Sequence, residues 1–468
     1  MRCLLLVTIL LAGLGRADGS SKSRPNVLIL IADQWRAQAF GYAGDPNVKT
    51  PHLDALEQES VNFTHAISSL PVCCPTRASL LTGQRALTHG VFMNDVPLAP
   101  DSVTFAKILR AQGYDTGYVG KWHLNGDGRS AFIPRERRQG FDYWKVLECT
   151  HNYNHSFYYG DMPERLQWPG YDAIAQTRDV QEYLRGRATN GRPFLFVLSW
   201  GPPHSPYNIA PEKYRALYNP ATVTLRGNVP PGPAAGWRRD LAGYYAHCSA
   251  LDDCVGELLQ TLHETGLDRN TIVIFTSDHG DMLGSQGLSA KQKPFDESIR
   301  VPMLFRCPPA LGVKARRLDA LIASEDFMPT LLGLCHAPIP PTVQGIDFSD
   351  YMRGKKNPSD GAALILSVAP FSDFSHQNGG REFRGIRTER FTYVRGLDGP
   401  WLLFDNETDP LQLTNLVNQP SGAKWQKKLD KTLQDKLRQT HDRFLPSADY
   451  IKQWGWPADA NGNIPYTN

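Results

Sequence analysis

Cysteine is scarce in this chain: there are 8 in 468 residues, with Cys3 inside an apolar opening run. The other seven, Cys73, Cys74, Cys149, Cys248, Cys254, Cys307 and Cys335, are too thinly spread for the disulfide framework that staples small exported domains, and their odd number leaves a thiol to explain. Cys248 and Cys254 stand six apart in a helix-like stretch, on different faces, which argues against a bridge between them. An excess of one charge is also lacking. The formal net charge is +3, falling to about +1 if Arg2 and Arg16 leave with a leader, which argues against nucleic acid or another broad electrostatic partner, so any anion binding must be local. After residue 12 no apolar run is long enough to span a bilayer, and no stable membrane anchor is expected.

The opening stretch itself has Arg2, an apolar run over 3–12 and the small residues Gly13, Gly15 and Ala17, the pattern of a secretory signal. Residues 1–17 are therefore expected to be a signal peptide, and the mature chain to be secreted, periplasmic or lysosomal. Sequons at Asn62, Asn154 and Asn406 arise often by chance and decide nothing. With 41% hydrophobic residues the chain can bury one large core and still supply a smaller unit.

Apolar runs of strand type recur at 27–32, 116–119, 194–200, 271–276, 303–305 and 363–367, separated by helix-like stretches such as 50–56, with Thr50 as cap and Pro51 in the first turn, and 102–111. Strands that are apolar on both faces belong in a sheet covered on both sides. The expected fold is α/β: a large mixed, mostly parallel sheet sandwiched by helices over residues 24–370. A C-terminal subdomain over 371–468 follows, with a small antiparallel sheet from 383–395 and 401–404 and a charged helix at 423–444.

The chemistry concentrates at element ends. In Cys73-Cys74-Pro75-Thr76-Arg77, followed by Leu81-Thr82-Gly83, Pro75 suits a first helical turn and Gly83 a C-terminal cap, which sets Cys73 at a helix N-terminus. Backbone amides and the helix dipole favour negative charge there, and Arg77 is expected to point a cation at the same spot. The strand at 27–32 delivers Asp33 and Gln34 from its C-terminal end, and the strand at 271–276 delivers Asp278 and His279 before a glycine, the ends at which open α/β sheets place ligands. Gly120-Lys121-Trp122-His123 follows a strand in the same way, as does His204 between Pro203 and Ser205-Pro206.

The Cys-x-Pro-x-Arg…Leu-Thr-Gly segment resembles the signature of the type I sulfatases, within the alkaline phosphatase superfamily, and the other segments agree with it in order. The resemblance implies that a formylglycine-generating enzyme oxidises Cys73 to formylglycine, whose hydrate carries two hydroxyls on one carbon. It implies one divalent metal, expected to be calcium with magnesium or manganese possible, held by Asp33, Gln34, Cys73, Asp278 and His279. Many sulfatases have Asp-Asp and Asp-Asn where this chain has Asp33-Gln34 and Asp278-His279, so a carboxylate is lost and an imidazole enters. Arg77, Lys121 and Lys293 would spread the sulfuryl charge, with Lys291 read as a solvated surface charge. His204 or Lys293 would protonate the leaving oxygen, and His123 would deprotonate the second hydroxyl.

The stretch from Gly140 to Tyr159 is rich in aromatic, amide and imidazole groups, as sugar-binding loops are, so a sulfated carbohydrate is the expected substrate, with Asn94, His151, Asn152 and Tyr153 as candidate contacts. Two other readings compete. A phosphonate or phosphate ester hydrolase of the same superfamily shares formylglycine and the Asp-Gln and Asp-His pairs; an exported carbohydrate-binding protein without catalysis is disfavoured by the complete set of reactive residues.

Overall fold

Asn26–Asp33 sends Val27, Ile29 and Ile31 into one apolar cluster and Leu28, Leu30 and Ala32 into another, all six buried. A strand that is apolar on both faces is stable only where both are covered, and it takes a central place in the larger sheet. The computed structural model describes residues 24–189, 191–459 and 461–465, so the leader expected at 1–17 lies outside the described residues. The strands are β1 (Asn26–Asp33), β2 (Val61–Ile67), β3 (Asp115–Lys121), β4 (Tyr143–Leu147), the two-residue β5 (Phe157–Tyr158) and β6 (Leu166–Gln167), β7 (Phe194–Pro203), β8 (Thr271–Ser277), β9 (Met303–Arg306) and β10 (Arg316–Ala323). Eight of them form the large sheet in the order β10-β2-β9-β8-β1-β7-β3-β4, in which only β9 runs against the rest. The mixed, mostly parallel sheet expected from the sequence is thus present, with helices and one apolar cluster on each face.

Two helices need labels: α1 (Pro51–Gln58) and α2 (Cys73–Thr82). Thr50 does precede α1, but its hydroxyl bonds Asp54 Oδ1 at 3.0 Å and accepts from the Gly41 amide at 2.9 Å instead of capping the first turn. The helix expected at 102–111 begins at Phe105, where Thr104 Oγ1 accepts from the Lys107 amide at 3.2 Å.

The small antiparallel sheet comprises β11 (Ala362–Ser367), β12 (Phe383–Thr388), β13 (Phe391–Gly396) and β14 (Gly399–Asp405), in that order. The strand at 362–367 pairs with β12, so the second unit starts before residue 371, the boundary read from the sequence. The charged helix covers Ala423–Gln439 and stops short of 444, because His441 and Phe444 take positive φ and Asp442 turns to an ion pair with the buried Arg384. Another buried pair joins the units: Arg387 of β12 grips Asp296 with two bonds of 2.9 Å. Burial opposes the charge on Asp296, but Arg387 holds its carboxyl down at about 2. Removing Arg387 leaves the buried Asp296 with the longer Arg300 contact at 3.5 Å, so Arg387→Ala should cost about 3 kcal/mol, read as a lowered melting temperature in a thermal scan.

Candidate active site

Five parallel strands, β1, β2, β3, β7 and β8, present their C-terminal ends on one side of the sheet; Asp33, Gln34, Lys121, His123, His204, Asp278 and His279 sit at or just past these ends, Cys73 follows β2 by a short turn, and Lys291 and Lys293 lie on a loop farther beyond β8. β2 leads through a short turn into α2, where Cys73 opens the helix, Pro75 lies in the first turn and Gly83, at φ 64°, caps it through its amide to Ser79 O. All ten residues of α2 are buried. Cys73 Sγ lies 3.2 Å from His279 Nε2 and 3.9 Å from Asp33 Oδ1. Asp33, Cys73, Asp278 and His279 each bring one donor atom into a buried group whose members all lie within 4.8 Å of one another. Because His279 Nδ1 is 3.0 Å from the Gly280 carbonyl, which only accepts, Nδ1 carries a hydrogen and Nε2 is the nitrogen turned to the group; burial opposes a second proton there but Asp278 and Cys73 favour it, so a cation would bind Nε2 in place of that proton.

The two carboxylates differ in electrostatics. Burial works against the charge on Asp33, but Lys121, aided by His204, Arg77 and His279, holds its carboxyl well below the usual range. Burial and then the Asp33 charge push the Asp278 carboxyl up, outweighing His279 and Arg77. Two buried carboxylates and an imidazole converging on one point make a donor set that suits a divalent cation, which would hold both acids ionised.

Arg77 differs from its expected place at the sulfate. Its guanidinium is spent on the acids themselves, with Nη2 at 3.1 Å from Asp33 Oδ2 and Nε at 3.0 Å from Asp278 Oδ2, and on Ser199 Oγ at 2.7 Å. Two carboxylates at strand ends are nearer and more basic than a sulfate would be, so Arg77 orients them and does not line the cavity. Lys121 does line it, while its Nζ bonds Asp33 Oδ2 at 2.6 Å.

Neither lysine at 291 and 293 takes the place expected of it. Lys291 Nζ reaches Gln34 Oε1 and His204 Nε2, both at 2.7 Å, and lines the cavity. Lys293 Nζ turns away to the Ser289 carbonyl at 2.7 Å and the face of Phe374, and burial pushes its ammonium down to about 8. His204 Nδ1 donates to Ser205 O at 2.8 Å, which leaves Nε2 to accept from Lys291, and burial, with Lys291, drives the ring well below the ordinary imidazole range. His123 Nε2 bonds Asp95 Oδ1 at 3.0 Å, and Arg129 grips the same carboxylate. Burial opposes its protonation, yet Cys74, Cys149 and Asp95 raise it well above the ordinary value.

Of the expected sugar contacts, Asn94 and His151 line the cavity, and His151 stacks on His204 with ring centroids 4.7 Å apart. Asn152 is exposed outside it, and Tyr153 is fully buried with its hydroxyl on the carbonyls of Gly201 and His204, so the aromatic stretch builds core as well as surface. Sequence reasoning assigned no role to Asp281 and Tyr207, which hold Gln34, or to Asp95, which holds His123 and is itself held by Arg129; Asp281 and Tyr207 stand beside the Asp278 and His204 motifs and Asp95 beside Asn94, whereas Arg129 adjoins none. It also missed the far wall. Phe371, Ser372, Asp373, Asp459, Asn463 and Ile464, from the second unit and the end of the chain, complete a cavity of about 540 Å³ over Cys73.

Comparison with known proteins agrees with this geometry. The sulfatase family model matches residues 25–337, and the model of the C-terminal part of N-sulphoglucosamine sulphohydrolase matches residues 284–439. The chain is 45% identical to an ulvan-active sulfatase of Formosa agariphila, over 95% of this chain and 87% of that one. It is 30% identical to an endo-4-O-sulfatase of Bacteroides thetaiotaomicron, over 84% and 88% of the two. A solved structure from Bacteroides fragilis assigned to the sulfatases superposes with a TM-score of 0.82 at 31% identity, covering 94% of this chain and all of its own. With its fold, motif order and strand-end cluster all in agreement, the chain belongs to the sulfatase family of the alkaline phosphatase superfamily.

Proposed function

We propose that this enzyme hydrolyses sulfate esters on a sulfated polysaccharide or its fragments, using formylglycine made from Cys73 and one divalent cation, with calcium the expected ion. The observation that carries the reading is the buried Asp33, Cys73, Asp278, His279 group beside a cavity edged by the cations Lys121 and Lys291. Polar cavity residues from several loops, among them Asn94, Arg129, His151 and Asn463, support a hydroxyl-rich substrate, as do the polysaccharide named for the ulvan-active relative and the sulfate position named for the endo-acting one. Residues 1–17 are proposed to direct export, and a formylglycine-generating enzyme is the proposed maturation partner.

Asp33, Gln34, Asp278, His279 and the side chain at 73 would hold the cation, which supplies Lewis-acid polarisation of a sulfate oxygen. Formylglycine supplies, as its hydrate, one hydroxyl to attack sulfur and a second that lets sulfate leave as the aldehyde returns. The chain's own groups do the rest. Arg77 keeps both carboxylates aimed, and Lys121 and Lys291 meet the charge that grows on the sulfuryl oxygens. Lys291, hydrogen-bonded to neutral His204, is placed to give the leaving alcohol its proton, with His204 as relay. His123, fixed by Asp95 and held in its charged form, lines the cavity, where it would hydrogen-bond the second hydroxyl and take that group's proton only after giving up its own.

Mass analysis of the peptide holding Cys73, from protein matured with a formylglycine-generating enzyme, should show the thiol replaced by an aldehyde or its hydrate; an unmodified thiol would count against the reading. Chelation followed by dialysis should lower sulfate release at least roughly a hundredfold, with calcium restoring it better than magnesium or manganese. Full activity of metal-free protein, or a preference for phosphonate monoesters over sulfated oligosaccharides, would reject it.

A further inference from the structure

Gln34 stands where a second carboxylate is common in the family, and an amide raises a problem that a carboxylate does not: its two ends differ, and only the oxygen can face a cation. The backbone at Gln34 is locked, with φ 68°, its amide on Asp278 Oδ1 at 3.0 Å and its carbonyl accepting from the Tyr244 hydroxyl at 3.0 Å. Its side chain still has two flip states. Asp281, fully buried, selects between them. Gln34 Nε2 donates to Asp281 Oδ2 at 2.6 Å, the Tyr207 hydroxyl donates to the same oxygen, and the Leu283 amide donates to Oδ1 at 3.1 Å. Both carboxylate oxygens are therefore acceptors, and the nitrogen end of Gln34 has a buried partner that only an NH₂ can satisfy. Its oxygen is left for the other side, where Lys291 Nζ donates to it at 2.7 Å.

We propose that Asp281 is a positioning residue that fixes the flip of the Gln34 carboxamide, so that an oxygen and never an NH₂ faces the cation and Lys291. The inference rests on the metal reading above. The carboxamide that Asp281→Asn introduces cannot accept on both sides: one orientation sets its NH₂ against the Leu283 amide, the other against the donors of Gln34 and Tyr207. Relief comes from turning Gln34 over, which sets its NH₂ toward the cation and the Lys291 ammonium. In a Gln34→Glu background the logic inverts. Native Asp281 then faces a second buried carboxylate at about the same separation, whereas Asp281→Asn supplies an NH₂ that donates to the new carboxylate while its oxygen still accepts from the Leu283 amide.

The test is calcium alone, titrated calorimetrically and by its shift of the melting temperature, on the mature full-length protein. Asp281→Asn should raise the calcium Kd about ten- to a hundredfold in the native background, and should leave it unchanged or lower it in the Gln34→Glu background. Equal affinity of native protein and Asp281→Asn overturns the proposal, and so does a loss of affinity in both backgrounds, which is what a merely structural carboxylate would give. If Asp281→Asn alone fails to fold, Gln34→Glu against Gln34→Glu/Asp281→Asn decides: undiminished calcium affinity in the double variant supports the assignment and weakened affinity overturns it. Native protein that binds no divalent cation rejects the metal reading and this assignment together, whereas native binding with unmoved variants rejects this assignment alone.

Discussion

Cys73→Ser is expected to lower steady-state sulfate release roughly a thousandfold or more, with a melting temperature within about two degrees of the native protein. The side chain at 73 opens α2 against His279 and Asp33, and a serine hydroxyl fits that space, so the fold has no reason to change. What changes is the number of oxygens. A serine that attacks sulfur becomes a sulfate ester and carries no second hydroxyl on the same carbon with which to expel it. His123, held by Asp95 at the cavity, then has no second hydroxyl to meet. Incubation with substrate should therefore yield up to one equivalent of alcohol and a protein carrying a sulfuryl group on the peptide containing residue 73, both visible by mass. Continued turnover by the purified serine variant would contradict the nucleophile assignment.

The second large effect separates two lysines that lie two residues apart. Lys291→Ala should lower kcat/KM about 10²- to 10³-fold, the usual consequence of losing one donor to charge that develops in a transition state, while Lys293→Ala should change it no more than about threefold. Lys291 contributes in two ways: its ammonium lies at the cavity, and it fixes both the His204 ring and the Gln34 oxygen. Lys293 is closed off by the Ser289 carbonyl and Phe374, so its removal touches packing and not the reacting group. Kinetics of the two alanine variants on one sulfated oligosaccharide decide the matter, and a larger loss at 293 would reverse the assignment drawn from the geometry.

The same lysines mark where sequence reasoning stops. Strands β1, β3, β7, β8 and β9 announce themselves because strands deep in a covered sheet are apolar on both faces, and Asp33, Lys121 and Asp278 follow from being the residues at or just past their ends. The segments of β2, β4 and β10 read poorly. β4 and β10 are the outer strands, β2 lies next to β10, and all three mix polar residues with apolar ones: Asn62, Thr64 and His65 in β2, Lys145 in β4, Arg316, Arg317 and Asp319 in β10. Lys291 and Lys293 sit on an irregular loop with no periodicity to say which faces inward, and what orients them is distant in sequence: Gln292 between them clasps the backbone of Phe371 from the second unit, with bonds of 3.0 and 3.3 Å. Tyr153 misled for a related reason. Aromatic density looks alike in a binding loop and in core, and only the carbonyls of Gly201 and His204 around its hydroxyl distinguish them. Arg77 was legible as a cation near Cys73, but not that Asp33, Asp278 and Ser199 would hold it.

The burial of α2 sets an order of events. Every residue from Cys73 to Thr82 is inside the folded protein, and Cys73 is 1% exposed. If Cys73 is converted as proposed, a second protein that must grasp the residues around it and oxidise its thiol would have nothing to hold once the sheet has closed over that helix, so conversion would belong to the nascent or unfolded chain. The cavity over Cys73 also depends on residues far along the chain from it, since Asp459, Asn463 and Ile464 form part of its wall. On that proposal oxidation and folding would be in a race with one winner per molecule. A preparation's specific activity would then record the outcome of that race as a census of two populations, since no later encounter would promote a chain that folded first.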